Sequence, residues 1–239
     1  MTSLIRFYND NLGANNNKYE ICIDEAGRGC LFGRVYIACV VLPKDPELFS
    51  SKDIKDSKKF SSKKKINEVA TYIKANALAW SISYIERDVI DDINILQAVM
   101  RGMHNVINNT IKTLYEKNGS NINTNDFFPL VDGNYFIPYL HFDHSTESII
   151  ELPYATIEKG DSLYMGIAAA SILAKTARDQ YILDMCMEHP DLSDKYGLEK
   201  NMGYGTKLHL DGIKQHGITQ WHRKTFGICR EFSSNIIDK

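Results

Sequence analysis

The most constraining feature of the chain is the stretch CIDEAGRGCLFGRVYIACVVLP, which runs from Cys22 to Pro43. Its first apolar run ends in an adjacent acid pair, Asp24 and Glu25, and a glycine-rich segment then leads into a second apolar run. Short, β-branched apolar runs are typical of strands, so the stretch predicts two strands joined by a glycine loop. Carboxylates at the end of a buried strand favour a ligand site, because open α/β sheets bind ligands at strand ends.

The rest of the chain alternates strand patterns with helical patterns. Later strands are predicted at residues 78–86, 127–134 and 152–161. Apolar residues recur at helical spacing over residues 61–77, 93–115 and 162–189, and further helices are predicted from about residue 206. This order predicts an α/β domain with a mixed sheet and a C-terminal helical part.

Cysteine usage and hydropathy exclude several classes of protein. The chain has 239 residues and five cysteines without a CxxC pair. Scattered cysteines favour a reducing compartment and argue against a disulfide framework or a cysteine zinc site. No apolar run approaches the roughly 18 residues of a membrane span, and the N-terminus lacks a secretory pattern. We therefore expect a cytoplasmic protein that does not bind membranes.

Positive charge is concentrated in two segments although the net charge is −2. Residues 52–65 hold seven lysines against two aspartates, and residues 200–230 hold six lysines and arginines against Asp211. Such patches can bind phosphates while the whole chain stays near neutral. Lysine runs are also common at solvated helix starts, so this alternative stays open for both segments.

Acidic residues recur where predicted strands end, at Asp24, Glu25, Asp132 and Asp161. Four carboxylates that converge would repel one another and raise one another's pKa, a cost that divalent cations remove. Oxygen ligands without cysteine or clustered histidine select hard ions such as Mg²⁺ or Mn²⁺. Paired ions of this kind are the usual device for phosphodiester cleavage, whereas a single aspartate at a strand end is more often a turn former.

The glycines after the acid pair allow three interpretations. Gly27, Arg28 and Gly29 loosely match a dinucleotide-binding fingerprint, but that motif requires a following helix and here a strand follows. The glycines can instead let main-chain groups approach a sugar or phosphate closely, with Arg28 contacting phosphate. A purely structural tight turn is the third possibility.

Seven blocks of the sequence resemble one enzyme family. DEAGRGCLFG is similar to the DEAGRGPLAG opening of the type 2 ribonucleases H, the ribonuclease HII family. Six further blocks follow in the family's order: DSKKFSSKKK, INILQAVMRGM, VDGN, EKGDSLYMGIAAASILAKTARD, GYGTKLHLDGIKQHG and HRKTF. Together they span about residues 19–227, and GYGTKLH and KGD resemble the bacterial members.

The resemblance implies a fold and an activity. The fold would be ribonuclease-H-like, with a central mixed β-sheet flanked by helices and a C-terminal helical region. We expect a flexible tail over residues 1–17 and a single catalytic domain over residues 18–239, whose helical substrate-binding part starts at about residue 190. The activity would be that of an endoribonuclease that hydrolyses the RNA strand of RNA·DNA hybrids and nicks 5′ of ribonucleotides embedded in duplex DNA, leaving 3′-OH and 5′-phosphate ends.

The resemblance also implies residue roles. The catalytic and metal-binding carboxylates would be Asp24, Glu25, Asp132 and Asp161, which would hold two Mg²⁺ or Mn²⁺ ions. The Gly27–Gly29 loop would contact the ribose 2′-OH, and Tyr204 would stack on the following sugar. The other candidate substrate contacts are Lys58, Lys59, Lys175, Lys207 and Arg223. Lys175 is alternatively a structural partner of a carboxylate, and His222 is expected to pack or to cap a helix rather than to act as a base.

Three positions depart from the family pattern, at Cys30, Phe32 and Arg34, where members usually have Pro, Ala and Pro. We expect these changes to affect fine substrate preference more than cleavage itself, since Phe32 adds bulk and Arg34 adds charge beside the loop. The expected partner is the hybrid or ribonucleotide-containing duplex, bound by a monomer without a clamp-binding motif. A noncatalytic binder of such duplexes is the alternative, although a binder has no reason to keep a repulsive acidic cluster.

Overall fold

The computed structural model describes residues 4–8, 18–119, 122–143 and 146–233. Most of the tail expected over residues 1–17, and the chain end at residues 234–239, lie outside the described residues. The chain divides into two compact units. The first comprises Met1–Glu25, Ile37–Ser83 and Met100–Thr176, and the second comprises Ala26–Tyr36, Tyr84–Val99 and Ala177–Lys239.

Five strands form the central sheet in the order β3-β2-β1-β4-β7. The strands of the chain are β1 (Tyr19–Ala26), β2 (Val35–Val41), β3 (Ala79–Ile85), β4 (Phe127–Asp132), β5 (Leu140–Asp143), β6 (Ser148–Glu151) and β7 (Ala155–Ile157). Strand β4 pairs in parallel with both β1 and β7, while β5 and β6 form a separate antiparallel pair. The carboxyl ends of β1, β4 and β7 therefore meet at one edge of the sheet.

The helices are α1 (Lys63–Asn76), α2 (Arg87–Asn118), α3 (Met165–Glu188), α4 (Asp191–Tyr196), α5 (Leu198–Asn201) and α6 (Lys207–His216). Helix α1 begins where predicted, because the Ser62 side chain accepts a hydrogen bond from the Lys65 N–H. Its buried residues Ile66, Val69, Ala70 and Ile73 follow the helical spacing seen in the sequence.

The start of α3 packs closely on the sheet because its residues are small. A side chain at Gly166 would overlap the Cys22 side chain on β1, and Ala168, Ala169 and Ala170 are fully buried. Ile167 packs with Cys22 and with buried residues of β4. This close packing fixes the first turns of α3 against the strands that carry the acidic residues.

Residues 4–8, which the sequence assigns to a flexible tail, are anchored to the first unit. The Ile5 N–H donates to the Leu163 carbonyl at 2.8 Å, and the Met165 N–H donates to the Ile5 carbonyl at 2.9 Å. Phe7 is buried. The segment thus forms an additional parallel bridge beside the start of α3.

The second unit has a core of its own around the C-terminal helices. Its fully buried residues include Phe32, Ile182, Leu192, Leu198, Ile213 and Cys229. Helices α4 and α6 approach so closely that a side chain at Gly212 would overlap the Lys195 carbonyl. Helix α4 begins this C-terminal helical part at Asp191.

Several elements differ from the sequence-based expectation: α4 and α5 precede the predicted start of the last helices at about residue 206, and β7 covers only part of residues 152–161. Helix α2 begins at Arg87 rather than near residue 93, and it is interrupted at Asn94, whose φ of 66° is left-handed. The β5–β6 pair was not predicted. Among the described residues no helix has both the length and the apolar character to cross a membrane.

Candidate active site

Strand register and the turn after β7 bring Asp24, Asp132 and Asp161 to one edge of the sheet. Ile23 pairs with Val131, so the next residues along these parallel strands are Asp24 and Asp132. Asp132 in turn pairs with Ile157 on β7. The chain leaves β7 and, within four residues, enters a short 3-10 turn that contains Asp161. Glu25 follows Asp24 directly on β1.

Asp24 is a buried carboxylate that is held by polar partners. Its Oδ1 accepts the Glu25 N–H at 2.7 Å, and the Ser171 hydroxyl on α3 also hydrogen-bonds to it. Ser171 is fixed by a 2.9 Å hydrogen bond with Ser57. Burial, followed by repulsion from Glu25 and Asp132, raises the pKa of Asp24 well above its usual range. The site therefore disfavours the charged form of Asp24 when only protein groups surround it.

Asp132 has a similar environment at the end of β4. Its Oδ1 accepts the Gly160 N–H at 2.6 Å, and the Asp161 N–H also donates to it. Burial and repulsion from Asp161 raise the pKa of Asp132, and these hydrogen bonds offset part of the effect. Repulsion between Asp24 and Asp132, and between Asp132 and Asp161, shows that the predicted carboxylates share one electrostatic environment.

Lys58 is a cation that the first unit places beside these acids. Its ammonium lies 3.2 Å from Oδ2 of Asp161, a residue that is only 6% exposed. Burial opposes the charge of this ammonium, but the carboxylates of Asp161, Asp56 and Asp24 outweigh it, and the pKa of Lys58 is raised. The sequence predicted a phosphate contact for Lys58, whereas its partner here is a carboxylate.

The donor set at this edge fits a hard divalent cation by its chemistry. All candidate ligands are carboxylate oxygens, and the mutual repulsion of Asp24 and Asp132 is the kind that a cation relieves. Within residues 4–8, 18–119, 122–143 and 146–233, no three or more His, Cys, Asp or Glu side chains already stand in position to hold one ion. Asp24, Asp132 and Asp161 are instead held by N–H, hydroxyl or ammonium groups, with which a cation has to compete.

The Gly27–Gly29 loop belongs to the second unit. Gly27 has a φ of +90°, and a side chain there would overlap the Arg178 side chain, so this position requires glycine on both grounds. Gly29 has open space around its Cα, and Arg28 is exposed. The loop thus presents Arg28 and a bare stretch of main chain to solvent.

Two fully buried arginines hold the loop from behind. Arg178 donates to the carbonyls of Phe32, Arg34 and Met202 at 3.2, 3.3 and 2.7 Å. Arg223 donates to the carbonyls of Gly33 and Arg28 at 2.8 and 2.9 Å. The predicted phosphate contact of Arg223 is wrong for this position, because the side chain is 0% exposed and acts on the loop's main chain instead. Arg178 lies in the block that ends AKTARD, but its role was not foreseen.

Tyr204 presents a half-exposed ring on a tightly held main chain. Its N–H donates to the Asn201 carbonyl at 3.0 Å, and its carbonyl accepts the Thr206 N–H at 2.8 Å. The Arg178 guanidinium lies 5.8 Å from the ring centroid. The Tyr204 hydroxyl hydrogen-bonds to the Cys30 thiol, and burial together with this thiol raises the pKa of Tyr204. The ring is therefore fixed at both ends while one side of it stays accessible.

The remaining predicted basic contacts are paired with protein groups. Lys207 lies 2.8 Å from Asp211 in an exposed pair, and Lys59 lies 3.8 Å from Asp56. Lys175 is half-buried on α3 and already has an interaction with a protein group. Exposed pairs of this kind contribute little to stability and exchange readily with a phosphate partner.

The three departures from the family pattern take up defined positions in the second unit. Cys30 is buried, with its thiol also 3.7 Å from the Met202 carbonyl. Phe32 is fully buried and packs on His222, so its bulk enters the core rather than lying beside the loop as expected. The Arg34 guanidinium pairs with Glu86 and stacks on two tyrosine rings, which satisfies its charge.

Comparisons with known proteins agree with the fold and with the order of the motifs. The family model described as Ribonuclease HII matches residues 21–229. Ribonuclease HII of Parabacteroides distasonis is 39% identical over 214 residues, which covers 90% of this chain and 92% of that protein. Ribonuclease HII of Bacteroides thetaiotaomicron is 38% identical over 224 residues, covering 93% and 96%.

Solved structures show the same architecture at lower identity. Ribonuclease H2 from Pyrococcus horikoshii OT3 gives a TM-score of 0.61 at 20% identity and covers 92% of this chain and 100% of its own. Bst-RNase HIII in complex with Mn²⁺ gives a TM-score of 0.53 at 17% identity, covering 86% and 65%. The predicted ribonuclease-H-like fold is confirmed, and the noncatalytic alternative is set aside. This chain belongs to the ribonuclease HII family and is a ribonuclease H enzyme.

Proposed function

We propose that this ribonuclease H cuts 5′ of a ribonucleotide in a duplex, either in a long RNA·DNA hybrid or at a single ribonucleotide embedded in DNA. The products would carry 3′-OH and 5′-phosphate ends. The observation that carries the proposal is the meeting of Asp24, Asp132 and Asp161 at one sheet edge, where burial and mutual repulsion raise the pKa of the first two.

Asp24, Glu25, Asp132 and Asp161 are the proposed ligands of two Mg²⁺ or Mn²⁺ ions. Such ions supply activation of water and stabilisation of the leaving oxygen in phosphodiester hydrolysis. Hydrogen bonds within the chain orient the carboxylate ligands. The oxygens of Asp24 and Asp132 are fixed in direction by the N–H groups of Glu25 and Gly160 and by the Ser171 hydroxyl. The Mn²⁺ complex of Bst-RNase HIII, a protein of the same fold, supports this choice of ion.

Lys58 is proposed to act as the internal counter-ion of Asp161. Its ammonium neutralises part of the acidic charge when no divalent ion is bound, which lowers the cost of keeping Asp161 buried. The side chain is 78% exposed and long enough to turn towards solvent. With an ion bound, Lys58 becomes free to contact a substrate phosphate, which reconciles the predicted role with the observed pairing.

The Gly27–Gly29 loop is the proposed ribose-recognition segment. A 2′-OH both donates and accepts hydrogen bonds, and it distinguishes RNA from DNA. Main-chain groups freed by glycine can approach it closely, and a site built for this hydroxyl is left unpaired by deoxyribose. Gly27 follows Glu25 by two residues in the chain. The proposed recognition loop therefore follows the acid pair directly in the sequence.

Tyr204 is the proposed platform for the sugar that follows the ribonucleotide. Its ring is half-exposed, and it is supported by the Arg178 guanidinium and by the Cys30 thiol. A flat ring packs well against deoxyribose and leaves little room for a 2′-OH. Lys59, Lys175 and Lys207 are the proposed contacts to phosphates further along the duplex, and exposed Arg28 is proposed to contact phosphate near the scissile bond.

A cleavage assay with mapped product ends tests the proposal. The wild-type protein is mixed with a duplex that contains one ribonucleotide, in the presence of Mg²⁺ or Mn²⁺, and the ends are identified by their reactivity with ligase and phosphatase. We expect a single nick 5′ of the ribonucleotide, no nick in an all-DNA duplex and no product in excess chelator. Cleavage 3′ of the ribonucleotide, or cleavage that survives chelation, would exclude the proposed mechanism.

A further inference from the structure

Two buried histidines in the second unit form a chain of hydrogen bonds that ends on Tyr204. His209 and His222 are both 0% exposed, and their Nε2 atoms lie 3.1 Å apart. On the far side, Nδ1 of His222 lies 3.0 Å from the Thr219 main-chain nitrogen. On the near side, Nδ1 of His209 lies 3.0 Å from the Tyr204 carbonyl oxygen. Neither histidine has a role in the proposed chemistry.

The partners at the two ends determine where the protons lie. A main-chain N–H only donates, so Nδ1 of His222 accepts from Thr219 and the proton of a neutral ring sits on Nε2. A carbonyl only accepts, so Nδ1 of His209 carries a proton and its Nε2 is free to accept. The two rings thus complement each other only if His222 donates to His209, and His209 donates to Tyr204.

The surroundings of the pair are aromatic and uncharged, which preserves this direction. Tyr196 packs its ring against both imidazoles, and Phe32 meets His222 edge-on. A second proton on His209 would place two ring N–H groups against each other at 3.1 Å, and a second proton on His222 would place its Nδ1–H against the Thr219 N–H at 3.0 Å. The chain therefore has one low-energy arrangement, in which both rings stay neutral.

We propose that His209 and His222 are positioning residues that fix the main chain of Tyr204, and with it the direction of the substrate-facing ring. This inference rests on the proposed role of Tyr204 in contacting the sugar after the ribonucleotide. The Tyr204 carbonyl accepts from both Thr206 and His209, so losing the histidine donor leaves a carbonyl that one bond alone orients. The same Thr206 caps helix α6, which carries His209, so the helix, the imidazole and the Tyr204 turn move together.

The proton arrangement is tested on the wild-type protein by ¹⁵N NMR of its histidine rings at neutral pH. We expect the His209 ring to be the Nδ1–H tautomer and the His222 ring to be the Nε2–H tautomer. The opposite tautomer at His209, or a doubly protonated ring at either position, would overturn the hydrogen-bond chain. This measurement requires neither a variant nor a substrate, so its result is independent of the proposed function.

The positioning role is tested by two matched replacements of His209. Asparagine places its amide nitrogen where Nδ1 lies and keeps a donor for the Tyr204 carbonyl, whereas glutamine reaches the Nε2 position and keeps only the contact with His222. We measure the ratio of cleavage at a single embedded ribonucleotide to cleavage within a long RNA·DNA hybrid. His209→Gln should lower this ratio about tenfold, as expected for losing one buried hydrogen bond, and His209→Asn should retain it.

Three outcomes would contradict the inference, and they are distinguishable. If Tyr204→Ala lowers the ratio while both His209→Gln and His209→Asn retain the wild-type ratio, Tyr204 acts as proposed but the histidines do not position it. If Tyr204→Ala itself leaves the ratio unchanged, the proposed role of Tyr204 fails, and the positioning role fails with it. An equal loss of thermal stability in both His209 variants without a change in ratio would assign the pair to core packing alone.

Discussion

The residues most important for the proposed chemistry are acids whose charged form the fold disfavours. Asp24 is buried and Asp132 is half-buried beside other carboxylates, and the pKa of each is raised. An arrangement that opposes its own ionisation destabilises the folded chain, so it is expected at functional sites rather than elsewhere. The same argument explains why Lys58, a surface lysine by sequence, turns its ammonium towards Asp161.

Replacing Asp132 by Asn should separate catalysis from stability. Asn keeps the acceptor for the Gly160 N–H but removes the charge that repels Asp24 and Asp161. We expect cleavage to fall by about 10²-fold or more. We expect duplex affinity to change little, and the free energy of unfolding without divalent ions to rise. Cleavage rates, duplex titrations and urea unfolding check the three results.

Glu116→Gln is a matched control for this change. Glu116 is an exposed carboxylate near the end of α2, paired with Lys112 at 4.0 Å. The control should leave cleavage and stability essentially unchanged, because exposed pairs contribute little. Normal cleavage by Asp132→Asn would remove Asp132 from the proposed ligand set.

Tyr204 offers a second test at the scale of one side chain. Tyr204→Ala should lower the preference for single ribonucleotides by about tenfold or more, because a stacked ring contributes about 1–3 kcal/mol. Tyr204→Phe keeps the ring and loses only the hydroxyl bond to Cys30, so it should retain most of the preference. The ratio of cleavage on the two substrates is the measurement. An equal loss of cleavage on both substrates would contradict the proposal that the ring contacts the sugar after a single ribonucleotide.

Residue positions were predictable from sequence where the strand pattern and the motif agreed, and the roles of these residues stay predictions. The strand-end acids were predicted because their position follows from the strands themselves. Arg178 and Arg223 were not recognised as loop supports, because their partners are carbonyls of Phe32, Gly33 and Met202, which no side-chain pattern reveals. Basic residues in a nucleic-acid enzyme suggest phosphate contacts, and burial is what distinguishes these two.

At the scale of elements, the break in α2 has a clear local cause. Asn94 adopts a left-handed φ of 66°, and its side-chain oxygen accepts the N–H groups of Leu96 and Gln97 at 2.9 and 3.1 Å. The residue therefore caps the longer part of the helix. The predicted start of a helix near residue 93 was correct for this part, and only the preceding turn was missed.

Replacing Asn94 tests this capping role. Asn94→Ala should lower the free energy of unfolding by about 1–2 kcal/mol, because it removes the cap and places a Cβ in a left-handed conformation. Asn94→Gly also loses the cap but removes the backbone strain, so it should lower the free energy of unfolding by only a few tenths of a kcal/mol. Urea unfolding of both variants checks the order. An Ala variant as stable as the wild type would contradict the proposed cap, and one as stable as the Gly variant would contradict the backbone strain.

The β5–β6 pair shows why some elements cannot be predicted from hydrophobic pattern. Leu140, Phe142 and Ile149 are large apolar residues that remain exposed, and neither strand has a fully buried face. Each strand has four residues, too few to show an alternation. The pair is instead specified by main-chain pairing between the two segments, which leaves little trace in composition.

At the scale of the whole molecule, the buried histidine pair should control part of the pH dependence of stability. Burial, together with His209, lowers the pKa of His222 to about 3, and burial also lowers that of His209. Between the usual histidine pKa and these lowered values the unfolded chain binds more protons, so stability present above about pH 6.5 is lost as the pH falls. The loss approaches about 1.4 kcal/mol per pH unit for each neutral ring.

Denaturant unfolding between pH 7 and pH 4 measures this effect in the wild type and in His222→Gln. Taking the difference between the two proteins removes the contribution of the acidic site, whose raised pKa values act in the opposite direction. We expect the wild type to lose stability more steeply than the variant as the pH falls. If the free energy of unfolding changed with pH in the same way in both proteins, the pKa of the folded histidine pair would not be lowered, and this account would be contradicted.

The fold class was predictable, because alternating strand and helix patterns and the family motifs indicated a mixed sheet flanked by helices, whereas the strand order was not predicted. The division into two compact units was not foreseen, since both units draw on segments that alternate along the chain. What the sheet contributes to function is convergence: β1, β4 and the turn after β7 bring acids from distant segments to one edge.

The most direct test of this account is anomalous diffraction from crystals of the wild-type protein soaked in Mn²⁺. The account predicts Mn²⁺ peaks within about 2.0–2.6 Å of carboxylate oxygens of Asp24, Glu25, Asp132 and Asp161, as for hard cations with oxygen ligands. We also expect the Lys58 ammonium to have moved away from Asp161. Peaks bound elsewhere, or an ion that contacts none of Asp24, Asp132 and Asp161, would contradict the claim that these acids form one cation site.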